Sequence, residues 1–216
     1  MRRCVVMLGP PGAGKGTQSG RLAAHLGVPK ISTGDMLREA VAGGTALGIR
    51  VRDVMARGGL VDDETMVAVV RERLGRADAA PGFVLDGFPR TPAQAAALDG
   101  LLAGSGVTVL DLVVPEDELV RRLSMRRVCG ACGTNATGSE GRDGACLRCG
   151  GALVQREDDT AGTVRERLAV YRRDTAPVVR HYASHPGYVR VDGMRPADDV
   201  AAELVAVVDG RRGDRL

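Results

Sequence analysis

A glycine-rich loop between a predicted strand and a predicted helix is the feature that most constrains the fold of this chain. The run Gly9-Pro-Pro-Gly-Ala-Gly-Lys15-Gly-Thr17 follows the apolar residues 4–8 and precedes a segment of helical periodicity. Glycines let successive backbone N–H groups wrap a phosphate, and the helix N-terminus favours negative charge. The strict motif has Ser or Thr directly after the lysine, whereas here Gly16 intervenes and Thr17 supplies the hydroxyl. The loop predicts a site for a nucleoside triphosphate.

Short apolar runs alternate with segments of helical spacing along most of the chain, and each kind predicts an element. The predicted strands are 4–8, 30–32, 83–85, 107–114 and 188–191. The predicted helices are 17–25, 35–42, 47–57, 64–74, 93–103, 116–127, 163–184 and 198–208. This alternation favours an α/β fold with a doubly wound parallel sheet, in which ligands bind at the carboxyl ends of the strands.

Two segments interrupt this alternation. Three predicted helices between residues 33 and 74 have no strand among them, so a small helical insertion is expected. Residues 128–158 have no helical period and contain two Cys-x-x-Cys pairs, each followed by glycine. That pattern predicts four thiolates around a structural Zn²⁺, from Cys129, Cys132, Cys146 and Cys149. Disulfides, redox-active thiols and unliganded cysteines stay open as alternatives, and Cys4 is interpreted as a core residue.

The composition limits the classes of partner. The chain has 216 residues, which suits one α/β domain with small insertions. A net charge of +3 and an aromatic content of 2% without Trp argue against a nucleic-acid surface. Only Lys15 and Lys30 are lysines, which makes a lysine inside the glycine loop more telling. With no membrane-length apolar run and no signal-peptide pattern, a soluble, cytoplasmic protein without a membrane partner is expected.

Two motifs after predicted strands add candidate anion and metal ligands. Arg38 lies about one helical turn beyond Thr33, which is also interpretable as an N-cap. Asp86, at the end of a predicted strand, suits Mg²⁺ or its waters, and Arg90 suits a phosphate because its guanidinium can bind two oxygens. Thr91-Pro-Ala-Gln94 also has the pattern of a capping box, so a purely structural role for Gln94 stays open.

Taken in order, these motifs resemble adenylate kinase. The segments that carry the resemblance are Gly9–Thr17, Ile-Ser-Thr33-Gly-Asp-Met-Leu-Arg38, Leu-Asp86-Gly-Phe-Pro-Arg90-Thr, Arg126-Arg-Val and Arg156-Glu-Asp-Asp159 with Thr163-Val-Arg-Glu-Arg167-Leu. They extend from residue 5 to about residue 200. The resemblance implies a five-stranded P-loop sheet, a helical AMP-binding insertion and a small zinc-ribbon-like lid like that of a subset of bacterial members. The implied reaction transfers the terminal phosphoryl of Mg·ATP reversibly to AMP and gives two ADP.

The resemblance also implies roles for residues at the motif positions. The implied ATP site is Gly12, Ala13, Gly14, Lys15, Gly16, Thr17, Arg122, Arg126, Asn135, Ala136 and Arg195. The implied AMP site is Thr33, Arg38, Gly59, Leu60, Val61, Gly87, Phe88, Pro89, Arg90, Gln94, Arg156 and Arg167. The implied catalytic residues are Lys15, Arg90, Arg126, Arg156 and Arg167, with Asp86 holding Mg²⁺ through water. The implied division is a core of 1–32, 62–127 and 159–216, an AMP-binding insertion of 33–61 and a lid of 128–158, in a monomer.

One stretch of the lid departs from the family pattern and keeps alternatives open. After Cys132 the family usually has Gly-x-x-Tyr-His, whereas this chain has Gly133-Thr-Asn135-Ala136-Thr137 without aromatic or imidazole. Selectivity for ATP over GTP is therefore open, and another nucleoside monophosphate kinase of GTP:AMP or UMP/CMP type is the nearest alternative. A zinc module that binds nucleotide without turnover and a zinc-ribbon nucleic-acid binder are the alternatives from other classes.

Overall fold

A five-stranded parallel sheet, in the order β2-β3-β1-β4-β8, forms the centre of the protein. The computed structural model describes residues 3–136, 144–156 and 159–210. The strands in chain order are β1 (Arg3–Leu8), β2 (Lys30–Ser32), β3 (Gly82–Asp86), β4 (Val107–Val113), β5 (Arg127–Cys129), β6 (Asn135–Ala136), β7 (Leu153–Val154) and β8 (Tyr188–Asp192). The fold class predicted from the sequence is correct.

Helices pack on both faces of this sheet. The helices are α1 (Lys15–Leu26), α2 (Thr33–Ala42), α3 (Ala46–Ala56), α4 (Asp63–Leu74), α5 (Pro92–Leu101), α6 (Glu116–Met125), α7 (Ala161–Val170), α8 (Ala176–Tyr182) and α9 (Ala197–Val208). Alternate residues of β1 belong to separate cores, because successive side chains of a strand point to opposite faces. Val6 and Leu8 pack with apolar residues of α2 to α5 and α8, whereas Val5 and Met7 pack with those of α1, α6, α7 and α9. Among the described helices, none is both long and apolar enough to span a bilayer.

Strands β5, β6 and β7, which lie between Arg127 and Val154 in the segment predicted as a lid (128–158, hereafter the lid), form a second and much smaller sheet. Its order is β6-β5-β7, with both pairings antiparallel. The strands are only two or three residues long, so few ladder hydrogen bonds hold them. Thr137 and Asp158 lie outside the described residues.

Two predicted helices end differently from what their periodicity indicated. The segment 163–184 is divided into α7, a π-helical turn at Tyr171–Thr175 and α8. Pro177 lacks the N–H that an uninterrupted α-helix would need there, and this explains the local change of hydrogen bonding. The segment 116–127 becomes helix only as far as Met125, because Arg127 already pairs with Ala136 in the lid sheet. The other predicted helices and the five sheet strands are present, with ends shifted by up to two residues.

Candidate active site

One cleft of about 640 Å³ opens at the carboxyl edge of the parallel sheet. It is lined by the glycine loop after β1, the starts of α1 and α2, the end of β3, the end of α6, lid strand β6 and parts of α7 and of the loop before α9. The cleft brings together every nucleotide-site residue that the sequence implied except Phe88. Phe88 is instead buried in the apolar core with α2 to α5, because its ring packs among leucines and valines there.

The glycine loop, residues 9–17, has a backbone that requires glycine at several positions. Gly9, Gly12 and Gly14 have φ angles of +130°, +87° and +94°, which disfavour residues with a Cβ atom. At Gly9 an added Cβ would lie only 2.5 Å from the carbonyl oxygen of Leu112. Gly14 starts α1 without a side-chain cap, which leaves the first amides of that helix for an anionic ligand.

Lys15 is held against the same loop. Its Nζ donates to the carbonyl oxygens of Gly9 and Pro10, at 2.7 and 2.8 Å. Burial lowers the pKa of Lys15 to about 8, although the nearby Asp86 carboxylate opposes this shift. A partly buried ammonium whose hydrogen bonds go to neutral carbonyls is prepared to accept an anionic partner.

The start of α2 forms the opposite wall of the cleft. Ser32, and not Thr33, is the N-cap, since its Oγ accepts from the amide of Asp35. The interpretation of Thr33 as an N-cap is therefore wrong: its hydroxyl donates to the carbonyl of Gly87 at 2.8 Å. The Nε of Arg90 donates to the same carbonyl, at 2.7 Å. Gly87 thus joins the β3 end to the α2 start.

Gln94 belongs to the capping segment of α5 and also lines the cleft, which are the two alternatives that the sequence left open. Thr91 caps α5 by accepting from the Gln94 amide, and Pro92 follows, as the capping pattern predicts. The Gln94 Oε1, however, accepts from the amide of Arg90 and its Nε2 donates to Asp63. The side chain is buried but lines the cleft, with both polar ends engaged.

Two of the implied catalytic arginines converge on one buried carboxylate at the lid base. Arg126 donates to both carboxylate oxygens of Asp159, at 2.7 and 2.6 Å. Arg167 donates to Asp159 Oδ1 at 2.8 Å. The Asp159 side chain is 0% exposed. This three-residue cluster ties the end of α6, the lid base and α7 together beside the phosphate loop.

The other end of the cleft is built by the segment before α9. Arg122 donates to the carbonyl of Gly193 at 2.9 Å and to Glu118 at 2.7 Å. Its neighbour Arg121 and Arg122 together lower the pKa of Glu118 to about 2. Gln18, at the start of α1, donates to the carbonyl of Ala197 at 2.8 Å. The result is a slot between α6 and the 193–197 segment next to the phosphate loop.

Lid strand β6 closes over the phosphate loop. A Cβ atom added to Gly16 would lie 3.3 Å from Asn135 Nδ2 and 3.6 Å from Asp86 Oδ2. Lid, loop and β3 end therefore meet at Gly16, where no larger residue fits without adjustment.

Several cleft residues were missed by the sequence reasoning: Gln18, Lys30, Ser32, Asp35, Glu118, Tyr171 and Gly193. Lys30 had a usable signal, since it is the second of two lysines in the chain. Ser32 and Asp35 also had one, because they lie within the motif of residues 31–38. The remaining residues had none, because their positions depend on how distant segments pack.

The four lid cysteines form a compact group at a distance from the cleft. Their four Sγ atoms all lie within 4.8 Å of one another. The Sγ atoms of Cys129 and Cys149 are 3.4 Å apart, and those of Cys132 and Cys146 are 3.7 Å apart. Zn–S bonds of about 2.3 Å in a tetrahedron place the sulfurs about 3.8 Å from one another, so the group fits one zinc ion. All five cysteines, including the buried Cys4, are free of disulfides.

Comparison with known proteins agrees with this geometry. The family model described as adenylate kinase matches residues 7–186. An adenylate kinase of Salinispora tropica is 49% identical over 210 residues, covering 93% of this chain and 95% of the relative. Adenylate kinases of Kosmotoga olearia and Archaeoglobus fulgidus are 48% and 46% identical, covering 93% and 95% of this chain and 96% and 97% of their own lengths. The chain therefore belongs to the adenylate kinase family.

Proposed function

We propose that this chain transfers the terminal phosphoryl group of Mg·ATP reversibly to AMP and thereby forms two ADP. A phosphate loop, a second anion-binding wall and a set of arginines line one cleft, and this observation carries the proposal. Two anionic substrates repel each other, so a site that joins them needs several fixed cations. The family relation supports the same activity.

The donor nucleotide is assigned to the phosphate loop and the slot beside α6. Residues 12–17 would hold the ATP phosphates through their amides, with Lys15 on the transferred group. Arg122 and the segment around Arg195 would contact the two sides of the adenine. Arg126, Asn135 and Ala136 would close the site from the lid side. The lid lacks the Tyr-His pair, so contacts from α6 and the 193–197 segment carry more of the base recognition in this proposal.

The acceptor nucleotide is assigned to the wall formed by α2 and the β3 end. Arg38 and Arg90 would bind the AMP phosphate, since each guanidinium can engage two oxygens. Gln94 would read the adenine edge, for which Thr33 and the backbone of Gly59, Leu60 and Val61 form the surroundings. Gly87, Phe88 and Pro89 complete the assigned segment. Phe88 contributes there through packing rather than through a surface in the cleft.

Catalysis in this assignment is mostly positioning and charge stabilisation. An AMP phosphate oxygen attacks the γ-phosphorus of ATP, and the bond from that phosphorus to the β-γ bridging oxygen breaks to release ADP. Lys15, Arg90, Arg126, Arg156 and Arg167 would surround the charge that spreads over the transferred group. Asp159 holds Arg126 and Arg167 in their places before substrate binds, which reduces the ordering left for the reaction step. Lid closure excludes water that would otherwise accept the phosphoryl group.

Two metals fit the residues present. Asp86 is a buried carboxylate at the end of β3, beside Gly16 of the phosphate loop, and hard oxygen donors of this kind suit Mg²⁺ or its waters. When bound with ATP, Mg²⁺ neutralises phosphate charge. The four lid thiols suit a closed structural Zn²⁺ site, which would order a segment that has little apolar core.

The same reasoning gives a division of labour along the chain. We assign the core to 1–32, 62–127 and 159–216, the AMP-binding insertion to 33–61 and the lid to 128–158. The partners are then the nucleotides ATP, AMP and ADP, with the protein acting as a monomer in the cytoplasm. Sedimentation at several concentrations, with and without nucleotides, tests the monomer.

The direct test follows ADP after Mg·ATP and AMP are mixed with the zinc-loaded protein. Rapid ADP formation that needs both nucleotides supports the proposal, and nucleotide binding without ADP formation contradicts it. Replacing ATP by GTP measures donor selectivity, on which the altered 133–137 stretch bears. Replacing AMP by GMP, CMP or UMP tests the acceptor assignment of Thr33 and Gln94.

A further inference from the structure

Lys30 lines the cleft but has no role in the reaction proposed above, unlike Lys15, the other lysine of the chain. It begins the edge strand β2, where it pairs with Val84 of β3. Its Nζ lies 3.7 Å from Asp35 Oδ2 on the acceptor wall. The same Nζ would lie 3.9 Å from a Cβ atom added to Gly16 in the phosphate loop. Lys30 therefore stands where the two halves of the cleft meet.

Two carboxylates share this place with Lys30. Asp86 Oδ2 approaches the same point of Gly16, within 3.6 Å of the added Cβ atom. Asp35 is bound both by Lys30 and by Arg38. Burial raises the pKa of Asp35, but the Arg38 bond and the charges of Arg38 and Lys30 outweigh it and lower the pKa overall. The Asp35 carboxylate is thus paired with two cations. Asp86 is the carboxylate assigned above to Mg²⁺.

We propose that the positive charge of Lys30, acting through Asp35 and Asp86, weakens binding of a free divalent cation to the cleft. The Lys30 ammonium forms an ion pair with Asp35 and places a positive charge near Asp86. A divalent ion therefore binds the cleft with full affinity only when the phosphates of ATP are also present. The inference rests on the proposed function, because it takes Asp86 as the carboxylate that faces Mg²⁺. It predicts that the metal enters with the nucleotide and not ahead of it.

The magnitude follows from electrostatics. A unit positive charge about 6 Å from a divalent ion, in water-like surroundings, weakens binding of that ion roughly tenfold. Lys30 is only 26% exposed, so screening by salt is incomplete. Removal of the charge also takes the cation away from Asp35 Oδ2, while Arg38 keeps Oδ1, so one oxygen of Asp35 becomes available to a metal and acts in the same direction.

The experiment measures Mn²⁺ binding to the nucleotide-free, zinc-loaded protein by the paramagnetic resonance signal of free Mn²⁺. Lys30→Gln is expected to bind Mn²⁺ roughly tenfold more tightly than the wild type. Lys30→Arg keeps the charge and is expected to retain the wild-type affinity. Arg76→Gln is the matched control, since it removes one positive charge from an exposed ion pair with Glu72 on α4. It is expected to leave Mn²⁺ binding unchanged.

Three results overturn the proposal. Equal Mn²⁺ affinity in Lys30→Gln and wild type removes the charge effect. Tighter binding in both Lys30→Gln and Lys30→Arg assigns the effect to shape instead. Weaker ATP binding in Lys30→Gln with unchanged Mn²⁺ binding makes Lys30 a phosphate ligand. ADP formation by the wild type, measured on the same preparation, tests the proposed function independently. Failure of the proposal about Lys30 can therefore be distinguished from failure of the proposed function.

Discussion

The phosphate loop and the lid both line the same cleft, but they are stabilised in different ways. The loop follows β1, the central strand, whose residues from Cys4 to Leu8 are all buried. It rests directly on β4, where Gly9 meets the carbonyl of Leu112. The lid has strands of two or three residues, and its apolar Leu147 is 76% exposed. The loop is held by the main core, whereas the lid has short strands and brings four thiols together.

This difference matches the tasks assigned to the two regions. A site that must present amides and one ammonium at fixed positions benefits from a rigid support. A cover that must open for substrate and close for chemistry benefits from a small body that moves as a unit. A metal-held knuckle supplies such a body without adding apolar surface that would bind it permanently to the core.

The largest expected effect lies in the phosphate loop. Lys15→Met should reduce kcat about a thousandfold or more, because the neutral side chain cannot stabilise charge on the transferred group. The fold should persist, since Met fills a similar volume at this partly buried position. Kinetics with Mg·ATP and AMP, paired with a thermal unfolding curve, measure both effects. A kcat within tenfold of the wild type would show that another cation carries the role.

The second-largest expected effect lies at Asp159, the buried carboxylate that joins the end of α6, the lid base and α7. Asp159→Asn should lower the free energy of unfolding by about 3 kcal/mol, because two partly buried guanidinium groups lose their fully buried anion. Asp78→Asn is the matched control, since this exposed carboxylate also binds an arginine, Arg73, and should cost less than about 1 kcal/mol. Urea unfolding of both variants measures the difference. Equal costs would mean that burial adds nothing to the Asp159 cluster.

The Asp159 cluster also shows where sequence reasoning ends. The glycine loop, the parallel sheet and the four thiols were predictable, because each depends on local spacing or hydrophobic pattern. The choice of Asp159 as the anion for Arg126 was not, since the two residues lie 33 positions apart. Ser32 is the helix cap instead of Thr33 for a similar reason: the hydroxyl of Thr33 donates to the carbonyl of Gly87, which follows β3. Lys30 acquired its place through the pairing of β2 with β3.

Removal of zinc separates the two regions directly. Chelation should speed amide exchange in the described lid residues, 144–154 among them, while the β1 amides stay protected. The melting temperature should fall by several degrees, since a loss of roughly 1–2 kcal/mol shifts Tm by 2–4 °C per kcal/mol in a chain of this length. Cys146→Ala should reproduce the effect without a chelator. Cys4→Ala is the control, because Cys4 is buried in β1 and does not belong to the cluster. Unchanged exchange and melting after chelation would remove the structural role assigned to zinc.

The smallest expected effect is a pH dependence that belongs to the loop alone. The pKa of Lys15 is about 8 without ligand, because burial disfavours its charged form. ATP needs the charged form, so its affinity should hold below pH 8 and decline above it, roughly fourfold between pH 7 and pH 8.5. Bound phosphate favours the ammonium and raises its pKa, so binding at pH 8.5 should take up protons. Calorimetry in two buffers of different ionisation enthalpy measures that uptake.

Lys15→Met is the control for this titration, and removal of zinc tests whether the titration depends on the lid. ATP binding to that variant should be weaker at every pH, and the proton uptake at pH 8.5 should vanish. A lid without zinc should still show the uptake, because the Nζ of Lys15 donates to Gly9 and Pro10 of its own loop. If chelation abolished the proton uptake as well, the electrostatics of the loop would depend on the closed lid. The charge state of Lys15 would then depend on the lid as well as on the packing of the loop against the sheet.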